Sequence, residues 1–375
     1  MNIFHPTWLE IDTKAIEHNL SQLKKIVHYP NTDICGIVKT NAYGHGILEF
    51  TKILYKKGIK FFGVSSIEEA ILLASNLNND FKIIILGYIY PFNRFKEIIK
   101  FNNIIPNISG IEELKFLNEI CKRNNCIKDF HLKIDTGMTR LGITINDIDN
   151  FLMQIPSLKY VNLTGVYTHF SCADCDKNYT LYQIKLFEQS IKKIKNFRFK
   201  NIKIHSANSS AILNFPQAHY NMVRPGLCLY GLLPFRNADK IISLRPVLSW
   251  KTRIVLIKNV PKGKYISYGN TYKTKRNSKI AIIPVGYGNG YNRLLSNRGK
   301  VLIKGKFAPI IGRITMDMSM IDITDIENAV LGQEVILIGK TDNKSISAET
   351  IAELINTINY EVVCNINFRI PRVYK

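Results

Sequence analysis

No stretch of this 375-residue chain is apolar for long enough to span a membrane; runs such as Ile83 to Leu86 fall far short of the roughly 20 residues required. The opening residues, Met1-Asn2-Ile3-Phe4-His5-Pro6, lack a basic segment leading into an apolar core. No secretory signal is therefore expected, and cytoplasmic residence is. Cysteine is present seven times, an odd number without a regular framework, which suits reduced thiols and excludes a disulfide-stapled fold. The spacing His169-Phe170-Ser171-Cys172-Ala173-Asp174-Cys175 has room for zinc. It has no second CxxC or HxxxH pair to complete a four-ligand set, and no metal is expected. Acidic residues are scarce, 29 against 51 basic ones, for a net charge of +22. The basic residues are nevertheless scattered from Lys24-Lys25 to Lys273–Arg276, with no RNP, KH or helix-turn-helix pattern around them. A solvated basic surface accounts for them without a nucleic-acid partner.

What the chain does contain is periodic. Between about residues 12 and 240, apolar strand-like runs alternate with helical patterns. The runs are Asp33–Lys39, Phe61–Ser65, Lys82–Gly87, Ile104–Ile108, His131–Asp135, Leu163–His169, Ile202–Ser206 and Met222–Tyr230. Their near-continuous apolarity is that of parallel strands buried on both faces. Ser66-Ile67-Glu68-Glu69 is a capping-box start for one intervening helix. Eight βα units in this length match a TIM-like (β/α)8 barrel. A doubly wound sheet is the alternative, but no GxGxxG opens its first helix. After Pro234 the pattern changes to short alternating strands: Val247–Ile257, Lys279–Val285, Lys300–Ile303, Ile314–Ile321 and Glu334–Ile338, with one helix at Ser347–Ile358. The expected architecture is α/β: a barrel over residues 12–240, then a mainly antiparallel β domain over 241–375, joined by an N-terminal strand within residues 1–11.

Reactive groups in a barrel gather where its strands end. The first strand ends at Lys39, inside Gly36-Ile37-Val38-Lys39-Thr40-Asn41-Ala42-Tyr43-Gly44-His45-Gly46. A lysine desolvated at a strand lip becomes a usable amine; the plain alternative is a surface lysine. The other ends carry Asp135 to Arg140, His169, Asn208-Ser209 and Val223-Arg224-Pro225-Gly226. Hydroxyls and glycines after the seventh and eighth strands are where barrels commonly bind phosphate. A reactive lysine and a phosphate cradle in one mouth suggest pyridoxal 5′-phosphate.

Eight segments, in order and spanning nearly the whole chain, resemble the alanine racemase family. They are Val38–Gly46, His131–Gly142, Tyr167–Phe170, His205–Ser209, Val223–Gly226, Ser267–Tyr272, Gly312–Asp317 and Thr357–Glu361. The resemblance implies a pyridoxal-phosphate isomerase that interconverts L- and D-alanine and supplies D-alanine for peptidoglycan. It implies that Lys39 carries the cofactor as an imine and serves the D-enantiomer, and that Tyr268 is the opposite base. Without the family, Tyr268 reads as a turn residue. Arg224 resembles the arginine facing the pyridine nitrogen, and His169 the ring-side histidine, whose alternative is a satisfied strand-end histidine. Tyr43, Asn208, Ser209, Gly226, Leu227 and Tyr360 fall at cofactor-contact positions. Arg140 matches a residue near both cofactor and substrate carboxylate, and Met316 a substrate contact whose alternative is β-domain packing. Lys133 stands where some members carry a carbamylated lysine; a plain lysine beside an acid is the alternative. Because Tyr268 and Met316 lie in the second domain, the resemblance implies a head-to-tail homodimer with shared sites. Asn289, Thr315 and Met318 depart from the family pattern, toward a corridor formed by Tyr287, Arg293, Arg313, Asp174 and Ile358, and leave substrate breadth (alanine against serine) open.

Overall fold

The computed structural model describes residues 5–28, 30–77, 80–197, 199, 201–341 and 343–375. The first strand, β1 (Trp8–Ile11), stands outside the barrel. The eight that follow are β2 (Asp33–Ile37), β3 (Phe61–Val64), β4 (Lys82–Ile85), β5 (Ile104–Ile108), β6 (Lys128–Lys133), β7 (Val161–Tyr167), β8 (Lys203–His205) and β9 (Met222–Val223). They close into a parallel barrel, with β9 pairing back onto β2 through Asp33 and Ile34. All five residues of β5 are buried, as continuous apolarity requires of a strand covered on both faces. Helices fill the crossovers, and several are closed by side chains at their starts. Asp12 accepts from the Ala15 N–H, Ser66 from Glu69, and Asp176 from Tyr179.

The second part is a seven-stranded, mostly antiparallel sheet with a separate three-stranded sheet and a two-stranded hairpin. β1 runs antiparallel to β10 (Leu248–Arg253), and the strand Arg372–Tyr374 adds in parallel on its other side. Leu9, Trp250 and Leu337 are almost wholly buried and belong to the same continuous apolar core as the barrel residues. Among the described residues no helix is long and apolar enough to cross a membrane.

Four of the sequence-based elements differ from the structure for identifiable reasons. The Met222–Tyr230 run is strand only for two residues; Pro225 and Gly226 turn it into a 3-10 helix, Leu227–Tyr230. Val247–Ile257 divides into β10 and Leu256–Val260, which belong to different sheets. Ile314 to Met318 is a loop, and the strand there is Ser319–Asp322. Asn356, in the left-handed region at φ 56°, ends one helix at Ile355 before a second begins at Asn359.

Two glycines with the same backbone angle separate strain from crowding. Gly231, where the chain leaves the barrel, and Gly305, in a hairpin turn, both have φ of +72°. A Cβ at Gly231 would lie 1.8 Å from the Arg245 carbonyl oxygen, whereas nothing lies within 4 Å of one at Gly305. We expect Gly305→Ala to cost about 1 kcal/mol, the left-handed penalty alone. Gly231→Ala should cost on the order of 3 kcal/mol or more, because backbone must move. Equal losses in denaturant unfolding would refute this account.

Candidate active site

The mouth of the barrel opens into a cavity of about 360 Å³. Its wall contains Lys39, Tyr43, Lys133, Arg140, His169, Asn208, Ser209, Arg224, Gly226 and Leu227, together with Tyr360 from the helix Asn359–Cys364, but not Asp174 or the other corridor residues. Tyr268 and Met316 are not part of it. They are 71% and 56% exposed on the second part of the chain.

Arg224 anchors the floor. It is 3% exposed, and no carboxylate pairs with it among the described residues. Its guanidinium instead donates to the Thr168 and Ser206 carbonyls at 2.8 and 3.0 Å and to His205 Nδ1 at 2.9 Å. Burial pushes it down to about 10, so it stays cationic at neutral pH. Because arginine only donates, His205 Nδ1 must accept, and a neutral His205 then carries its proton on Nε2. That proton points to His131 Nδ1, 3.0 Å away. Both imidazoles are held neutral by burial first and by the Arg224 charge second, with His131 pushed down to about 3. Gly165 on the neighbouring strand makes room: a Cβ there would sit 2.4 Å from His131 Nε2.

Tyr167 stacks on His205 with ring centroids 4.8 Å apart, under both Arg224 and Lys133. Its hydroxyl donates to Asn107 Oδ1 at 2.8 Å; Asn107 then donates to Ser109 Oγ, and the Ser109 N–H to Glu113 Oε2 at 2.7 Å. His131, His205, Asn107 and Glu113 had no role in the sequence reading. The available signal was polar side chains inside otherwise apolar strands: Asn107 in Ile-Ile-Pro-Asn-Ile and His131 in Phe-His-Leu.

Three lysine and arginine side chains join Arg224. Burial, then the charge of Arg140, lowers Lys39 from the ordinary lysine value. Lys133 is pushed down to about 8 by burial and by Arg140 and Arg224. The acid nearest Lys133 in sequence, Asp135, is engaged elsewhere, accepting from the N–H groups of Gly137, Met138 and Thr139 at 2.9 to 3.1 Å.

On the opposite wall, Ser209 Oγ accepts from the Gly226 and Cys228 N–H groups at 3.0 and 3.3 Å, and Asn208 caps the helix Ser209–Asn214. A Cβ at Gly226 would stand 2.7 Å from the Tyr43 hydroxyl, so only glycine leaves that space open. A lysine amine, a donor-only buried arginine and a glycine-hydroxyl cradle in one cavity fit an anionic pyridine cofactor.

The departures from the family pattern serve local turns. Asn289 Oδ1 accepts from the Gly286 N–H, and Thr315 Oγ1 both donates to the Met318 carbonyl and accepts from its N–H.

Glu113 supplies a pH test. Its Oε1 has no partner among the described residues, and burial raises it from 4.5 to about 8. Between those values the folded chain binds the extra proton, so stability must fall as pH rises. Glu113→Gln removes that slope. Its stability relative to the parent should grow by roughly 1–3 kcal/mol between about pH 5 and pH 8 in denaturant titrations; a difference that does not change with pH would contradict it.

Comparison with known proteins agrees over the full length. Residues 11–234 match the family model "Alanine racemase, N-terminal domain" and residues 247–374 match "Alanine racemase, C-terminal domain". An alanine racemase of Halothermothrix orenii is 43% identical, covering 100% of this chain and 98% of the relative. The alanine racemase structure from Clostridium difficile 630 superposes with a TM-score of 0.93 at 36% identity, over 100% of this chain and 97% of that one. The Bartonella henselae alanine racemase with covalently bound pyridoxal phosphate gives 0.87 at 27% identity, over 99% of each chain.

Proposed function

Because this chain belongs to the alanine racemase family, we propose that it interconverts L- and D-alanine with two bases, Lys39 and Tyr268, on opposite faces of the substrate. It is an isomerase of the racemase class. The observation that carries the mechanism is the cavity in which Lys39 meets Arg140, Arg224 and the Ser209–Gly226 cradle. Pyridoxal 5′-phosphate, found covalently bound in the Bartonella relative, would supply an electron sink for the Cα carbanion. Lys39 would hold it, with Ser209, Gly226, Asn208, Leu227, Tyr43 and Tyr360 around its phosphate side and His169 beside its ring.

Racemisation removes the Cα proton from one face and returns one to the other, so two groups must flank the substrate. Burial and the Arg140 charge lower the basicity of Lys39 and so favour the neutral amine that would accept the proton on the D side. Tyr268 would serve the L side. Arg224, a donor-only cation that holds its protons firmly, would face the pyridine nitrogen and disfavour protonation there. Arg140 would bind the substrate carboxylate, aided by the Met316 backbone. Lys133, close to Arg140 and already weakened as a cation, is suited to react with carbon dioxide as a carbamate that orients Arg140.

Tyr268 and Met316 lie away from this cavity and exposed. In the proposed assembly, a head-to-tail homodimer, each chain completes its partner's mouth with them. The product would supply D-alanine for peptidoglycan in the cytoplasm.

Two measurements test this. Borohydride treatment of the cofactor-loaded protein should abolish its visible absorption band and leave the label on Lys39; a label on another lysine would overturn the assignment. Lys39→Ala and Tyr268→Ala chains, each inactive, should regain racemase activity when subunits are exchanged, through one intact site per mixed dimer. Absence of recovery despite demonstrated exchange would sink the shared site.

A further inference from the structure

The backbone beyond Lys39 takes a form that L-residues rarely adopt. Thr40, Asn41, Ala42 and Tyr43 have φ of 55°, 53°, 52° and 51°, and Gly44 follows at 80°. This is a full turn of left-handed helix. Glycine enters this region freely and Asn or Asp sometimes, but Thr40, Ala42 and Tyr43 have no such licence. A strained turn persists only where its surroundings over-determine it.

Part of the restraint is internal. The Gly44 N–H donates to Thr40 O and the Gly46 N–H to Asn41 O, while Asn41 Oδ1 accepts from the Ile47 N–H at 2.9 Å. Glu69 holds one flank, its carboxylate accepting from the N–H groups of Asn41 and Ser65. The other flank is held from the far end of the sequence. Arg372 Nε donates to the Gly44 carbonyl at 3.0 Å, and the Tyr374 hydroxyl lies 2.7 and 3.0 Å from the His45 and Gly46 carbonyls. The remaining Arg372 nitrogens donate to the carbonyls of Ile366, Asn367, Phe368 and Ile370. One guanidinium thus ties two loops together through backbone oxygens alone. The clamp is itself anchored, since Arg372–Tyr374 pairs along β1 and the Lys375 N–H donates to Ile11 O.

We propose that Arg372 and Tyr374 are positioning residues for Lys39: from outside the barrel they grip the carbonyls of Gly44, His45 and Gly46, where the left-handed turn ends, and thereby hold the Lys39 amine at the barrel mouth. The inference rests on the reading of Lys39 as the base for the D-enantiomer. Neither residue lines the cavity of its own chain.

The test uses the cofactor-loaded enzyme carrying Tyr374→Phe, Arg372→Lys or Arg372→Met. Loosening the turn should slow proton transfer at Lys39 alone. We expect kcat to fall about tenfold or more, because a small displacement of a reacting group is costly in rate, with KM changed far less. The primary deuterium isotope effect should rise with D-alanine labelled at Cα and fall with labelled L-alanine, whose abstraction step becomes more reversible when the Lys39 step is slowed. The pH at which the visible band titrates should also move, since Lys39 shares its setting with Arg140, Lys133, Glu69 and Cys364. Arg372→Lys should retain more activity than Arg372→Met. Lower activity with both isotope effects and the spectral titration unchanged would mean a merely structural role and overturn the proposal. If Arg372 variants fail to fold, Tyr374→Phe decides it alone. An unsubstituted enzyme that does not racemise alanine would refute the proposed function, while the spectral titration would still report on the clamp.

Discussion

Four cationic side chains, Lys39, Lys133, Arg140 and Arg224, converge on one cavity without a carboxylate to neutralise them. Lys133 and Arg224 are almost wholly buried, and burying unpaired charge is among the costliest things a fold can do. Much of the barrel interior is an answer to that cost. Arg224 is solvated by two carbonyl oxygens and an imidazole lone pair. The lone pair fixes the tautomer of His205, and His205 fixes that of His131. Lys39 and Lys133 answer differently, by becoming weaker cations.

Three carboxylates of the barrel are taken up by the backbone. Asp135 accepts three N–H groups, Glu69 those of Asn41 and Ser65, and Glu113 that of Ser109. Glu113 is further disarmed by burial, which keeps it protonated through most of the neutral range. The positive field in the cavity is therefore only partly offset by the protein's own acids, and an anionic occupant would balance the rest. The net charge of +22 is not the cause. The selectivity comes from where the few acids point, not from how many bases the surface carries.

The barrel was legible because parallel strands covered on both faces are apolar throughout, and their ends stand out as the first polar residues. Lys39, His169, Ser209 and Arg224 were found that way. The eighth strand was overread because apolar residues resume at Leu227 beyond Arg224, whereas Pro225 and Gly226 already turn the backbone. The relay through His131 and His205 was not legible, since a histidine inside a strand looks like one at its end unless the neighbouring Gly165 is read as space made for a ring. The placement of Tyr268 away from its own chain's mouth follows from the tertiary arrangement, which no local pattern encodes.

The turn after Lys39 was the least legible feature, and energetics explains why. Thr-Asn-Ala-Tyr carries no left-handed preference beyond that of Asn41. At about 1–2 kcal/mol for each non-glycine residue, four such residues cost roughly 4–8 kcal/mol, comparable with the whole net stability of a typical domain. No local sequence could offset that. Beyond the turn's own hydrogen bonds, the compensation comes from residues remote in sequence: Glu69, placed by the barrel, and Arg372 with Tyr374, placed by the second sheet. A relaxed loop would end strand β2 equally well but would leave the lysine free to sample solvent. On the proposed role of Lys39, strain maintained from two sides would confine it, which makes the rigidity of its amine a property of the assembled chain and not of the motif around it.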